Sequence, residues 1–203
     1  FENSDYQNAL NKIQTAIELS PKEALFYDQL ATDYGTLATL LVDQDASASA
    51  ELASTAVKLS TYALTLNPHH LNFYKSQVSL YVQLGKLDPS YYLRAISTLQ
   101  TAITLAPSDA KLYYNLSLLQ AMTGQTNSAL ATMQKAVDLK SNYAQARNQL
   151  AEMLIAQGRL SEAAEQYQAI LEQINPNDSL VQEKFKLLEA SLSAQEKLAP
   201  SSK

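Results

Sequence analysis

The sequence predicts an all-α protein: a superhelical repeat array (α-solenoid) of antiparallel helix pairs, closed by a C-terminal capping helix. Three observations predict it. Ala, Leu, Gln, Lys and Glu are abundant, and all are good helix formers. Glycine occurs only at positions 35, 85, 124 and 158, too rarely for the turns a chain of many strands would need. And one pattern recurs at a fixed step, the mark of a repeat architecture.

The pattern is Ala, three residues, an apolar residue, two residues, Ala, and a breaker five residues on. The first copy is Ala9, Ile13, Ala16 and Pro21; the second is Ala56, Ser60, Ala63 and Pro68. Ala95, Leu99, Ala102 and Pro107 follow, then Ala129, Met133, Ala136 and Ser141, and a looser copy at Ala163, Tyr167, Ile170 and Pro176. Ala95 to Ala129 and Ala129 to Ala163 are each 34 residues, and Gly124 to Gly158 keeps that step. Alanines seven apart share one helix face, two turns apart. Their methyl groups let a neighbouring helix approach closely, and the larger residue between them fills the hole. The glycine is expected between the paired helices, where a positive φ ends one and aims the next. The proline stops the second helix.

These residues resemble the tetratricopeptide repeat (TPR), a pair of antiparallel helices. In that family the first helix carries an aromatic residue, a leucine and a tyrosine at its fourth, seventh and eleventh positions. Tyr27, Leu30 and Tyr34 match all three. Tyr74 and Tyr81 match in the next repeat, with Gln77 in place of leucine; Tyr113 and Leu116 match in the third, with Gln120 in place of tyrosine. The fourth keeps Leu150 but has Arg147 and Leu154 at the aromatic places. The small eighth-position residue is Ala31, Val78, Ser117 and Ala151, of which Val78 fits least well. The resemblance covers residues 5 to 176.

Element by element, residues 1–177 are expected to form the array. A half repeat at 4–21 supplies a second helix without its first, as in a piece of a longer protein. A long repeat follows at 22–68, then repeats at 69–107, 108–141 and 142–176. Pro21 to Pro68 exceeds the period by thirteen residues and Pro68 to Pro107 by five. Thirteen residues shared by two antiparallel helices add about two turns to each. Asp45 is expected to cap the second long helix. In the second insert Asp88 is expected to cap a helix with Pro89 at its first position. The two inserts either pack on each other or form a separate surface. Residues 178–198, with Leu180, Phe185, Leu188 and Leu192 on one side, form the capping helix, and 199–203 a disordered tail.

Chemistry is hard to find. The net charge of −5, spread without blocks, argues against nucleic acid, which needs a basic stripe. Absence of cysteine excludes disulfides and thiolate metal sites. No apolar run approaches the roughly 18–20 residues of a membrane span, and no signal-peptide pattern opens the chain. The adjacent His69 and His70 point in different directions and make no paired metal site. No phosphate-cradling loop, dinucleotide fingerprint or nucleophile elbow occurs. The stretch with Asp43, Asp45 and Ser47 approaches a calcium loop, but Ala48 replaces the required glycine and Ser54 the bidentate glutamate. Most tyrosines fall on helix-packing positions rather than on a base-stacking surface. The chain is expected not to be an enzyme and to hold no cofactor or metal.

The TPR resemblance implies a binding face made by the first helices, at positions 2, 5, 6, 9, 12 and 13. Carried onto this chain, that groove includes Asp28, Thr32, Asn72, Lys75, Ser79, Lys111, Tyr114, Asn115, Leu118, Asn148, Gln149 and Glu152. Amides and lysines suit the carbonyls of an extended peptide, and Tyr114, Leu118 and Met122 are expected to offer an apolar pocket. The carboxylate clamp of some TPR proteins is matched only by Lys75 and Asn115, while Ser79, Gln145 and Gln149 depart from it. Too little positive charge remains to grip a carboxylate.

A weaker resemblance, in the long hairpin and the closing "NPND", is to soluble TPR tails that follow the membrane spans of bacterial O-antigen ligase-like proteins. It implies a parent anchored in the membrane ahead of Phe1. The leading reading is a non-catalytic protein–protein interaction scaffold that binds a peptide segment or helix. The alternatives are an accessory extracytoplasmic domain of a glycan ligase or polymerase, and a self-association module forming a weak homo-oligomer. Extracytoplasmic and cytoplasmic locations both stay open.

Overall fold

A computed structural model of the protein describes residues 3–198; the side chain of Ala9 and the tail 199–203 lie outside the described residues. Among those described there are ten helices and no strand. The chain divides after Pro107 into two compact units. Unit 1 holds α1 (Asn3–Leu19), α2 (Ala24–Leu41), α3 (Ala46–Leu66), α4 (Leu71–Leu84) and α5 (Ser90–Leu105). Unit 2 holds α6 (Ala110–Met122), α7 (Thr126–Leu139), α8 (Ala144–Ala156), α9 (Leu160–Gln173) and α10 (Ser179–Leu198). The pairs α2/α3, α4/α5, α6/α7 and α8/α9 pack most extensively.

The recurring alanines seal these pairs. Ala56, Ala63, Ala95, Ala102, Ala136 and Ala163 are fully buried, and the residues between them, Leu99, Met133 and Tyr167, are buried with them. Ser60 fills the same place in α3, and its hydroxyl has no partner. In the first copy Ile13 and Ala16 are half-buried.

The starts of α3, α5, α6 and α10 are fixed by side-chain acceptors for otherwise unpaired N–H groups. The carboxylate of Asp45 accepts from Ala48 N at 2.9 Å, that of Asp109 from Lys111 N at 3.0 Å, and that of Asp178 from Val181 N at 3.1 Å. Asp88 accepts from Ser90 N at 2.9 Å and from the Ser90 hydroxyl at 2.7 Å. Pro89 therefore sits one place earlier than expected, at the N-cap, and α5 opens at Ser90.

A second device locks the starts of α2, α4, α8 and α10 to the turn before each. The hydroxyl of Tyr27 donates to the Pro21 carbonyl at 3.0 Å, and that of Tyr74 to the Pro68 carbonyl at 2.9 Å. Arg147 Nε makes the same six-residue reach to the Ser141 carbonyl at 2.7 Å, and Gln182 Nε2 to the Pro176 carbonyl at 2.7 Å. Arg147 thus replaces the aromatic residue and keeps its bond. Tyr74→Phe is expected to cost about 0.5–1.5 kcal/mol in urea unfolding; no change would deny the lock a role in stability.

The glycines divide into two kinds. Gly124 and Gly158 have φ of 78° and 73° and end α6 and α8 in the expected way. Gln125 N reaches the Gln120 carbonyl at 2.8 Å and Arg159 N reaches the Leu154 carbonyl at 2.9 Å, closing Schellman motifs. Gly35 and Gly85 do not. Gly35 is buried inside α2, and Gly85 caps α4 with φ −58°. Their role is close approach.

The long hairpin is α2 and α3, five residues longer than α6 and seven longer than α7. Its inner end does pack on the second insert. Ala38, Ala53, Leu80 and Leu84 form one cluster, with Leu52, Leu87 and Tyr91 against it. Gln83 Nε2 donates to the hydroxyl of Thr39 at 3.2 Å, tying α4 to α2.

Candidate functional site

With the second helices closing the core, the first helices of each unit carry the residues that the repeat pattern marks for binding. In unit 1 these lie on α2 and α4. Asp28 is half-buried; burial raises its carboxyl pKa above 3.8, a shift opposed by the Ser76 hydroxyl and by His70. Thr32 is exposed, and its hydroxyl donates to the Asp28 carbonyl at 3.1 Å. On α4, Asn72 and Ser79 are exposed and Lys75 is half-buried. His70, at the N-cap of α4, lies 4.3 Å from the Phe73 ring. Asp33 is likewise shifted upward by burial, against the Gln29 amide that donates to it at 3.1 Å. This face is polar and holds half-buried carboxylates.

Because the folded state holds the Asp28 proton more tightly than the unfolded chain, stability falls as pH rises through the window above 3.8. Asp28→Asn is therefore expected to raise the melting temperature at pH 7 and to leave it nearly unchanged at pH 3, where the carboxyl is protonated in both states. An equal shift at both pH values would deny the cost of burial.

In unit 2 the face is built from α6, α8 and, unexpectedly, α10. Lys111 and Asn115 are exposed on α6. Tyr114 and Leu118 are half-buried against the core, with the Tyr114 ring 5.3 Å from that of Tyr143, and Met122 projects with 62% of its surface exposed. On α8, Asn148 and Gln149 are half-buried and Glu152 is exposed. Ser117 explains why α6 needs a small eighth residue: its buried hydroxyl donates to the Ala129 carbonyl at 2.6 Å across the pair.

The residue that sequence reasoning missed is Lys184, on α10. Its ammonium donates to Glu152 Oε1 at 2.5 Å and to Asn148 Oδ1 at 3.2 Å, while Asn148 Nδ2 donates to Glu152 Oε1 at 3.3 Å. The bond to Glu152, ahead of any other cause, raises the Lys184 pKa. Beside this triangle lies a groove of about 370 Å³ lined by Ile155, Tyr167, Leu187, Leu188 and Ser191. Tyr167 is buried there, and desolvation pushes its phenol upward. A sequence signal existed: Gln182 follows Arg147 by 35 residues, so α10 starts in register with a first helix, and Lys184 falls where the binding positions fall.

Tetratricopeptide-repeat family models match residues 91–144 and 121–184. The chain is a tetratricopeptide-repeat protein, and its fold is the all-α TPR solenoid of antiparallel helix pairs. Over 106 residues it is 27% identical to DnaJ homolog subfamily C member 3 of Rattus norvegicus, a match spanning 51% of this chain and 21% of that relative. TTC0263, a TPR protein of Thermus thermophilus, is 25% identical with a TM-score of 0.57, covering 91% of each chain. YrrB, described as a TPR protein with an unusual peptide-binding site, is 24% identical with a TM-score of 0.58, covering 92% of this chain and 87% of its own. The TPR fold carries a protein–protein interaction role. Among the described residues no helix is long and apolar enough to cross a membrane, and no group of three His, Asp or Glu could share a metal ion.

Proposed function

We propose that the chain is a non-catalytic scaffold whose first-helix faces bind an extended segment of a partner protein. The observation that carries this reading is the face of unit 2. Met122, Ile155 and Leu187 expose 62%, 38% and 64% of their surfaces there, beside the exposed donors Lys111 and Asn115. Exposed apolar side chains interleaved with amide and ammonium donors suit a peptide, which offers apolar side chains and backbone carbonyls together. The peptide-binding site described for YrrB supports it at the level of fold alone.

Peptide display on the 203-residue chain tests the reading. Enriched peptides are expected to bind at least about tenfold more weakly, roughly 1.4 kcal/mol, when Lys111, Asn115 and Met122 are changed together to Ala, Ala and Ser. All three are surface positions, so folding is preserved. Lys135→Ala on α7, also exposed, is expected to change nothing. Equal loss in both variants, or none in either, would remove the face from consideration.

A further inference from the structure

Within unit 2 the groove between α8 and α10 has a chemistry of its own. The Lys184 ammonium has three donors, of which two are committed, to Glu152 Oε1 at 2.5 Å and Asn148 Oδ1 at 3.2 Å. Glu152 Oε2 accepts none of these bonds. Side chains of Lys184 and Glu152 are 30% and 44% exposed, so a ligand reaches both. One unused donor and one unused acceptor therefore stand side by side, matching the N–H and C=O that each peptide residue presents. Because ammonium and carboxylate cancel, the pair offers no net charge to a charged ligand. An incoming carboxylate would meet Glu152, and an incoming ammonium Lys184. Against this rim Ile155 and Leu187 keep 38% and 64% of their surfaces in water, and burying them beneath an aliphatic side chain is favourable.

We propose that this groove is a subsite for one aliphatic side chain of an uncharged, extended peptide segment, whose backbone at that residue is held by Lys184 and Glu152. The proposal rests on the reading that the first-helix face binds an extended segment, and it names the chemistry that one part of the face selects. Asn148 acts here as a positioning residue that holds Lys184, while Glu152 both touches the peptide and cancels the Lys184 charge. The ion pair sets specificity against acidic tails.

The test is a titration of the ¹⁵N-labelled 203-residue chain with synthetic nine-residue peptides, acetylated and amidated, in a Ser/Gly background. The central residue is Leu, Ser or Asp, and a fourth, shorter peptide ends at Leu with a free C-terminal carboxylate. The capped Leu peptide is expected to move the amides of Ile155 and Leu187 and to bind about tenfold more tightly than the Ser or Asp peptide. Leu187→Ser, at an exposed position, is expected to erase that preference. Glu152→Gln, which releases the Lys184 charge, is expected to bring the carboxylate peptide level with the capped one or above it. Wild-type preference for the Asp or carboxylate peptide overturns the proposal. So do shifts confined to Tyr114 and Leu118 on α6, which leave the broader face reading standing. Absence of shifts on every first helix of unit 2 overturns both. Shifts that follow protein concentration rather than peptide would mean the groove takes a second copy, and would overturn it as well.

Discussion

Met133→Ala is expected to lower the stability of unit 2 by about 2–5 kcal/mol, the span measured for large-to-small changes at sites that cannot collapse. Met133 has no exposed surface, and Ala129 and Ala136, one turn to either side, are equally buried. The neighbouring methyls are too short to reach into the space the thioether leaves. Ala146, Leu150 and Ala151 belong to the same cluster, so the gap is walled by α8 as well as by α7 itself. The cost therefore contains both lost transfer energy and a cavity. Met133→Leu keeps the volume and is expected to cost less than about 1.5 kcal/mol. Repeat arrays depart from two-state unfolding, so the sharper readout is amide hydrogen exchange. Exchange in α7 and α8 should rise with Met133→Ala and stay near wild type with Met133→Leu. A loss under about 1 kcal/mol would mean the site relaxes, and that the seven-residue alanine spacing does not fix how closely the helices approach.

That spacing is also why most of the fold was legible in the sequence. A residue that must be small for steric reasons cannot vary, so Ala95, Ala102, Ala129, Ala136 and Ala163 keep their register. The length of the first hairpin was legible too, because extra residues in an antiparallel pair must be shared between two helices. Arg147 was harder. By residue type it departs from the repeat, yet its guanidinium makes the bond to the preceding carbonyl that Tyr27 and Tyr74 make with hydroxyls. Side chains of different chemistry can reach the same acceptor, and a pattern written in residue types does not register that.

Part of the candidate site escaped for a related reason. Residues 178–198 read as a capping helix because apolar residues on one side are all that a cap requires. The pairing of Lys184 with Glu152 depends instead on α10 lying beside α8, a relation between residues 32 apart in the chain. The apolar pocket expected around Tyr114, Leu118 and Met122 was placed by repeat position alone. Tyr114 is half-buried with a second ring, Tyr143, beside it, and Leu118 is half-buried against the core of unit 2. Which of two candidate positions stays open is decided by a neighbour's bulk.

The glycines provide the last test, since in the sequence all four look alike. A Cβ built on Gly158 would meet nothing within 4 Å, so Gly158→Ala carries only the strain of φ 73°, about 1–2 kcal/mol for a non-glycine residue. Gly85 is the reverse. Its φ of −58° suits any residue, but a Cβ there would stand 2.3 Å from the nearest ring atom of Tyr92 and 2.6 Å from two others. An aromatic ring is rigid, and Tyr92 is carried on α5 itself, so relief requires either the ring to swing out or α5 to move off α4. Gly85→Ala is therefore expected to cost about 1–3 kcal/mol, the range for overpacking. A second substitution separates this cost from any general intolerance at the turn. Tyr92→Ala removes the obstacle at the expense of its own packing. The double variant should then be more stable than the sum of the two single losses by about 1 kcal/mol or more, as for coupled neighbours. Gly35→Ala makes the intermediate case. Its Cβ would fall 2.3 Å from Leu80 Cδ1, the end of a flexible side chain, and Ala gains about 1 kcal/mol of helix propensity over Gly. Its net effect should be the smallest of the three. Strict additivity of Gly85→Ala and Tyr92→Ala in urea unfolding would show that ring contact is not what keeps position 85 free of a side chain.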